Sequence, residues 1–352
     1  MRILLVGGGT AGHVWPIMLV AKSLLKNHRS KILYVGSRQG IESKIIKDSG
    51  IPYKSIMVGK RRAYFSLSNY WDMFKTFIGI LQSLFIILTF RPDVIFAKGG
   101  YVTFPIIIWL GFFKIPLVIH ESDVVMGQAN IFASKRSIKI CLGFPLEYYR
   151  NIPLQKGIYT GIPVREEFLQ PQIKSSDRLN ILITGGSQGS SKINNLIYEI
   201  LPELVKKYEV YHISGEIDFE KLSTFKSEFY HLYNFTQNIP ELMRDADLII
   251  TRAGANTLAE ISSTKKAAII IPLTTAKGEH QVANAEVYHK NNAAVVISEE
   301  KMSANSLLSI VNNLMDDEVM RNLIGHHANS FFYVNSVGEI IDTIFEVAGE
   351  KK

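Results

Sequence analysis

Apolar positions along this chain switch between two periods. Four apolar residues, Ile3-Leu4-Leu5-Val6, run into Gly7-Gly8-Gly9, and from there apolar positions recur at helical spacing through Leu25. A short apolar run closed by glycine reads as a buried strand, and a recurrence of about 3.6 residues reads as the helix packed on it. A second strand is expected at Ile32–Val35. The same order returns at Ile181–Thr184, which runs into Gly185–Gly189 and then a helix near Lys192–Leu201. Further short β-rich runs include Val94–Ala97, Leu117–His120, Val210–Ile213, Leu248–Thr251 and Ala268–Ile271, with helical patterns between them. Alternating strands and helices predict parallel sheets covered on both faces. Two strand–glycine–helix starts, about 180 residues apart, predict an α/β protein of two doubly wound, Rossmann-like domains. Glycine and proline in Gly161-Ile162-Pro163 mark the expected boundary, giving domains 1–160 and 161–335. The amphipathic tail Ser336–Ala348 fits either domain on its pattern alone.

Composition agrees with two cored domains: 352 residues, 47% hydrophobic and 20% charged, where one domain takes roughly 150. The single cysteine, Cys141, excludes a disulfide framework and a cysteine-rich zinc site, and fits a reducing compartment. The opening MRILLVGGG is too short in apolar residues for a secretory signal. The net charge of +7 is unevenly spread. Residues 1–160 carry 21 Lys and Arg against 7 Asp and Glu, a balance of +14, whereas residues 161–352 carry 18 against 25, a balance of −7. Such a split predicts that the first half meets an anionic partner, a lipid surface or a nucleic acid. Residues 76–90 are uncharged between Lys75 and Arg91. At 15 residues they fall short of the roughly 20 that span a bilayer. They are apolar on nearly every face, which suits a buried helix or one touching lipid. Val102–Ile119 is broken by Pro105, Lys114 and Pro116. With Lys60-Arg61-Arg62 beside the apolar run, the lipid-facing reading gains weight.

Three strand-to-helix turns carry candidate chemistry. Gly7–Gly12 fits G-x-G-x-x-G, in which glycines let the backbone approach an anion at a helix start. A dinucleotide site also wants an acid at the end of the second strand. Here Val35 is followed by Gly36-Ser37-Arg38, with no acid until Glu42, which weakens a dehydrogenase reading. In Gly185–Gly189, Ser187 and Gln188 add side-chain donors that suit a pyrophosphate, and Arg165 could pair with it bidentately. In the third turn, Thr251–Thr257, the spacing Thr257-x-x-Glu260 allows two readings. It is either a capping box or a carboxylate placed against ribose hydroxyls. Asp245-Ala246-Asp247 leads into a strand and reads as solvated strand-start acids, not a metal clamp.

Taken together, GGTAGHVWP (8–16), KGGYVTFP (98–105), HESDVVMGQAN (120–130), GIPVR (161–165), GGSQGS (185–190), TRAGANTLAE (251–260) and EHQVANA (279–285) resemble the MurG family, over nearly the whole chain. Members of that family transfer N-acetylglucosamine from UDP-GlcNAc to undecaprenyl-pyrophosphoryl-N-acetylmuramoyl-pentapeptide in peptidoglycan synthesis. The resemblance implies a GT-B fold, with two Rossmann-like halves facing across a cleft and the final helix, 336–352, returning to the N-terminal domain. It implies an inverting transferase that needs no metal or other cofactor and binds no nucleic acid. It also implies a peripheral enzyme on the cytoplasmic face of the plasma (inner) membrane, with anionic lipids as partners. Matched position by position, Arg165, Ser187, Gln188, Thr236, Glu260 and Gln281 fall on the donor side, with Asn284 beside them. Thr10, Ala11 and Gly12 form the loop facing donor and acceptor. His13, Tyr101, Glu121 and Asn130 fall on the acceptor side.

The chain departs from the family pattern twice. Ala11 stands where many members have glycine and demands a negative φ there. Asp123 stands where many have asparagine, which makes it a second candidate carboxylate base. The implied reaction needs one base to take the proton of the muramoyl 4-hydroxyl. His13 is the first candidate, on its ordinary pKa of about 6.5. Glu121 and Asp123 follow, if burial raises their pKa. A transferase acting on another lipid acceptor, or a noncatalytic nucleotide- or nucleic-acid-binding module, remain the alternatives.

Overall fold

A computed structural model describes residues 1–26, 30–59, 68–150, 152–171, 177–186, 189–275 and 279–349. The chain divides into two compact units. The first comprises Met1–Pro163 and Tyr333–Lys352, the second Val164–Phe332.

The first unit holds seven parallel strands among the described residues: β1 (Arg2–Val6), β2 (Lys31–Ser37), β3 (Tyr53–Ile56), β4 (Val94–Ala97), β5 (Leu117–Glu121), β6 (Lys139–Leu142) and β7 (Gly157–Tyr159). Their order in the sheet is β3-β2-β1-β4-β5-β6-β7. Helices α1 (Ala11–Lys26), α2 (Ile41–Asp48), α3 (Ser68–Phe90), α4 (Thr103–Ile107), α5 (Leu110–Phe113) and α6 (Gln128–Ser134) connect them. Strands β1 and β4 are buried along nearly their whole length, as expected of central parallel strands with no solvent face. Ile3, Leu5, Val94 and Phe96 of the sheet pack with Val14 and Ile17 of α1. Cys141 lies in the same core.

The second unit repeats the plan with β8 (Asn180–Thr184), β9 (Glu209–Ile213), β10 (Tyr230–Tyr233), β11 (Leu248–Thr251), β12 (Ala267–Ile270) and β13 (Val295–Val296). Their order is β10-β9-β8-β11-β12-β13, again parallel. Its helices are α7 (Ser191–Lys207), α8 (Phe219–Leu222), α9 (Ile239–Asp245), α10 (Ala255–Thr264), α11 (Glu279–Lys290), α12 (Ala304–Asp316) and α13 (Glu318–Asn329). Ile193, Ile197 and Leu201 of α7 pack with Leu307 and Val311 of α12 against Ile181, Ile183, Leu248 and Ile250. The last helix, α14 (Ser336–Val347), belongs to the first unit and buries Ile340 and Ile344 in its core.

In each sheet the strand order reverses once, between β1 and β4 and between β8 and β11. At such a switch point the loops leaving adjacent strands diverge and open a crevice at the strands' C-terminal ends. Those four loops are the glycine-rich and TRAG segments singled out in the sequence.

Helix α3 corrects one expectation. The helix begins at Ser68, well before the uncharged run, and its segment Trp71–Phe90 is long and apolar enough to cross a membrane by length and composition. One face is nonetheless packed on the first unit. Gly79, Ser83, Ile86 and Ile87 are buried, the Ser83 hydroxyl donates to the Pro105 carbonyl (2.8 Å), and Trp109 Nε1 donates to the Ile80 carbonyl (3.0 Å). The opposite face leaves Trp71, Phe77, Leu81, Phe85 and Leu88 at least half exposed. The basic cluster 60–62 lies outside the described residues.

Candidate active site

The loop after β1 turns at Gly9, whose φ of 103° requires glycine, with the Tyr101 ring against it. From the loop after the neighbouring strand β4, Gly100 (φ 81°) comes so close that a Cβ there would run into the Gly8 carbonyl oxygen. Ala11 is the first residue of α1. Gly12 follows it in the first turn.

Glu42, too far along the chain to suggest an acid at the end of β2, folds back to that place. Its carboxylate accepts from Ser37 N (2.8 Å), Ser37 Oγ (2.6 Å) and Gly9 N (3.2 Å), and it sits in a cradle of Gly8, Gly36 and Gly40. It is fully buried and serves the loop from beneath.

His13 stands in the first turn of α1, with Nδ1 3.0 Å from Thr10 Oγ1. Burial, and then the Lys98 ammonium, push its imidazole down to about 4. The ordinary value that made His13 the first candidate base therefore does not hold in the fold. Tyr101 is half-buried, its hydroxyl 3.4 Å from Ser37 Oγ, and burial raises its phenol.

At the end of β5 the two acids have different surroundings. Glu121 is buried and both its oxygens are engaged: Oε1 accepts from Asp123 N (3.1 Å), and Oε2 from Gly127 N (3.0 Å) and Asn130 Nδ2 (2.9 Å). Burial, and then the Asp123 charge, raise its pKa against those hydrogen bonds. Asn130 is itself buried and also donates to the His120 carbonyl (3.0 Å). Asp123 is half-buried. Beneath them lies a cation that the sequence did not suggest. Lys98, at the end of β4, is 2% exposed, and its ammonium bonds His120 Nδ1 (3.0 Å) and the Ser122 hydroxyl. Its signs in the sequence are that it follows an apolar strand, runs into two glycines and opens the KGGYVTFP segment.

In the second unit, Ser187 and Gln188 lie outside the described residues. The flanking Gly186 (φ 83°) and Gly189 (φ 74°) turn the loop, and Ser190 caps α7 by accepting from Ile193 N (3.4 Å). Arg252, in the loop after β11, ties three segments together. Its Nη2 donates to Ser190 Oγ (2.6 Å) and Glu299 Oε1 (2.6 Å), and its Nη1 to the Ile271 carbonyl (3.1 Å). The charge is buried but paired on every side.

Helix α10 begins after Gly254, which makes no side-chain cap, so Thr257 and Glu260 both lie inside the helix and the capping-box reading falls. Burial raises the Glu260 carboxyl to about 7, opposed by the Arg165 guanidinium, which also lies 5.0 Å over the Phe168 ring. Thr236 sits in the loop between β10 and α9, its hydroxyl accepting from Asn238 N (3.1 Å). Gln281 Oε1 accepts from Leu273 N (3.1 Å) at the start of α11. Asn284 is fully buried and donates to the Ala253 carbonyl (3.1 Å), so it holds the TRAG turn from inside. Asp245 is buried, and Asp247 accepts from Asn180 N (2.8 Å) at the opposite end of the sheet, so these acids are not solvated as expected. Among the described residues no group of three His, Cys, Asp or Glu side chains is placed to hold a metal.

Residues 3–141 match the glycosyltransferase family 28 N-terminal domain, and residues 180–331 match the family's C-terminal domain. The chain is 37% identical over 354 aligned residues to the UDP-N-acetylglucosamine–N-acetylmuramyl-(pentapeptide) pyrophosphoryl-undecaprenol N-acetylglucosamine transferase of Clostridium tetani, covering 97% of each chain. It is 40% identical to the Clostridium perfringens transferase of the same name, over 89% of this chain and 90% of that one. Among solved structures it resembles MurG of Acinetobacter baumannii, with a TM-score of 0.79 and 25% identity, covering 98% and 99% of the two chains. With glycosyltransferase family 28 domains in both units and full-length relatives of one name, the chain belongs to the MurG family of UDP-N-acetylglucosamine–N-acetylmuramyl-(pentapeptide) pyrophosphoryl-undecaprenol N-acetylglucosamine transferases.

Proposed function

We propose that this chain transfers N-acetylglucosamine, with inversion, from UDP-GlcNAc to the 4-hydroxyl of undecaprenyl-pyrophosphoryl-N-acetylmuramoyl-pentapeptide. The observation that carries this reading is the half-buried Glu260 carboxyl of α10, beside the switch point of the second unit, whose ionisation the Arg165 guanidinium favours. A carboxylate there accepts two hydrogen bonds from a ribose diol, and a guanidinium pairs with a diphosphate. Ser187, Gln188, Thr236 and Gln281 complete the donor side, and Thr10, Ala11 and Gly12 are further donor-binding positions. No cofactor is required. Charge building on the departing diphosphate is met by Arg165 and by the N–H groups at the start of α7.

The acceptor is held by His13 and Tyr101, and by Asn130 acting through Glu121. Asp123 takes the proton of the 4-hydroxyl as that oxygen bonds to the anomeric carbon. The bond from that carbon to the diphosphate breaks, and its electron pair leaves with UDP. Asp123 is preferred because three N–H donors engage Glu121 and because His13 is a weak base near 4. His13 stays neutral at working pH and serves as a hydrogen-bonding group.

The exposed apolar face of α3, with Phe112 of α5 at 76% exposure, rests on the cytoplasmic leaflet of the plasma membrane, drawn there by anionic lipids to the basic half of the chain. The test is UDP release by the purified protein from UDP-GlcNAc and a short-chain form of the acceptor lipid. Release at background level refutes the reading. Release only with a diacylglycerol acceptor replaces it with the other lipid-acceptor transferase.

A further inference from the structure

Lys98 carries a buried charge on the acceptor side that the reaction scheme does not use. A buried ammonium costs several kcal/mol unless it is paired, so its surroundings indicate what it serves. Its first partner settles a tautomer. His120 Nε2 lies 2.9 Å from the Gly161 carbonyl, which can only accept, so the imidazole proton is on Nε2. Nδ1 is then the acceptor, and the hydrogen between Nδ1 and Lys98 Nζ (3.0 Å) comes from the lysine. Ser122 Oγ accepts a second lysine hydrogen. The ammonium is thereby clamped by neutral groups between the ends of β4 and β5, while the charges it faces are those of the reacting side. Glu121 and Asp123 attract it, and His13 is repelled by it. Two further groups face the same cluster. Glu42 from α2 acts on His13, and the Tyr149 hydroxyl, after β6, feels Glu121 and Asp123.

We propose that Lys98 is a positioning residue, whose fixed positive charge keeps the proton-accepting group of the acceptor site unprotonated and ready. This rests on the transferase reading above. Burial takes the ammonium down to about 8, and the two carboxylates oppose that fall, so at neutral pH the charge is present. A cation lowers the pKa of a nearby carboxylate and of a nearby imidazole alike. The sign of the effect follows: without Lys98, a basic group beside it takes up a proton at higher pH.

The experiment is the pH profile of kcat for the full-length wild type and Lys98→Met, measured as UDP release with the short-chain acceptor lipid. The acidic limb is expected to move up by about one pH unit or more. The variant should fall furthest behind wild type on that limb, by up to tenfold per pH unit of displacement, and stay within about threefold of wild type at pH 9, with UDP affinity changed less than twofold. Lys98→Arg should keep the wild-type limb. Lys98→Gln retains a hydrogen-bonding head group and should repeat the methionine result if the latter does not fold. A loss equal at every pH, or an unmoved limb in either neutral variant, overturns the proposal. A wild type that releases no UDP refutes the transferase reading instead.

Discussion

Replacing Glu260 with glutamine should make the protein more stable and a poorer binder of its donor, and pH should separate the two effects. The Glu260 carboxyl sits near 7 in the fold because burial disfavours its charge, against 4.5 as an ordinary value. The sign follows from linkage. A carboxyl whose folded pKa is raised takes stability away once the unfolded chain ionises and the folded one resists. The cost begins near pH 4.5 and is complete above pH 7, on the order of 3 kcal/mol at most. Glu260→Gln removes that cost, so urea unfolding should find the variant more stable at pH 8 by on the order of 1–3 kcal/mol and level with wild type at pH 4.5. Donor binding should move the other way. Losing one charged acceptor for the ribose diol costs about 1.5–3 kcal/mol, a ten- to hundredfold rise in Kd. In the wild type, UDP affinity measured calorimetrically should rise about tenfold from pH 6 to pH 8 as the carboxyl ionises, and the variant should lack that slope. A variant that gains no stability at pH 8, or that keeps both the affinity and its slope, refutes the placement of Glu260 as a half-buried donor-binding acid.

Gly100→Ala should destabilise the first unit by about 2 kcal/mol or more, read by thermal melting, because a φ of 81° and the nearby Gly8 carbonyl both oppose a Cβ. Arg252→Met strands the Glu299 carboxylate and should cost about 3–5 kcal/mol. Arg252→Met with Glu299→Leu should recover part of that loss, and equal melting temperatures for the two variants would show that the ion pair is not what matters. Exchanging Phe77 and Phe85, which are 58% and 63% exposed, for serine should weaken binding to anionic vesicles at least tenfold in a flotation assay, since each buried phenylalanine contributes about 1.5–3 kcal/mol. Stability should change by no more than about 0.5 kcal/mol.

The α/β plan and the candidate loops were legible because they are written in local periodicity. Ile3–Val6 and Ile181–Thr184 read as strands since central parallel strands, covered on both faces, must be apolar throughout. The glycines that close them are required by backbone geometry, as Gly9 and Gly186 show. Helix α3 was read short because Asp72 and Lys75 interrupt its apolar run, yet both fit on the helix and pair there at 3.8 Å. Thr257 and Glu260 match the spacing of a cap, and spacing does not say where a helix starts. Only the backbone puts that start at Gly254.

What the chain determined unaided is whatever depends on neighbours in sequence: the sheet-forming runs, the turns that need glycine, and the pairing of motifs that marks the family. What folding decided is the state of the charges. Glu42 reaches Gly9 across 33 positions, and Lys98 meets His120 and Ser122 across 22 and 24. Burial, and then Lys98, bring His13 to about 4, and burial against the Arg165 charge brings Glu260 to about 7. A pKa is set by the dielectric and the charges around a group in space, and these come from strands adjacent in the sheet but far apart in the chain.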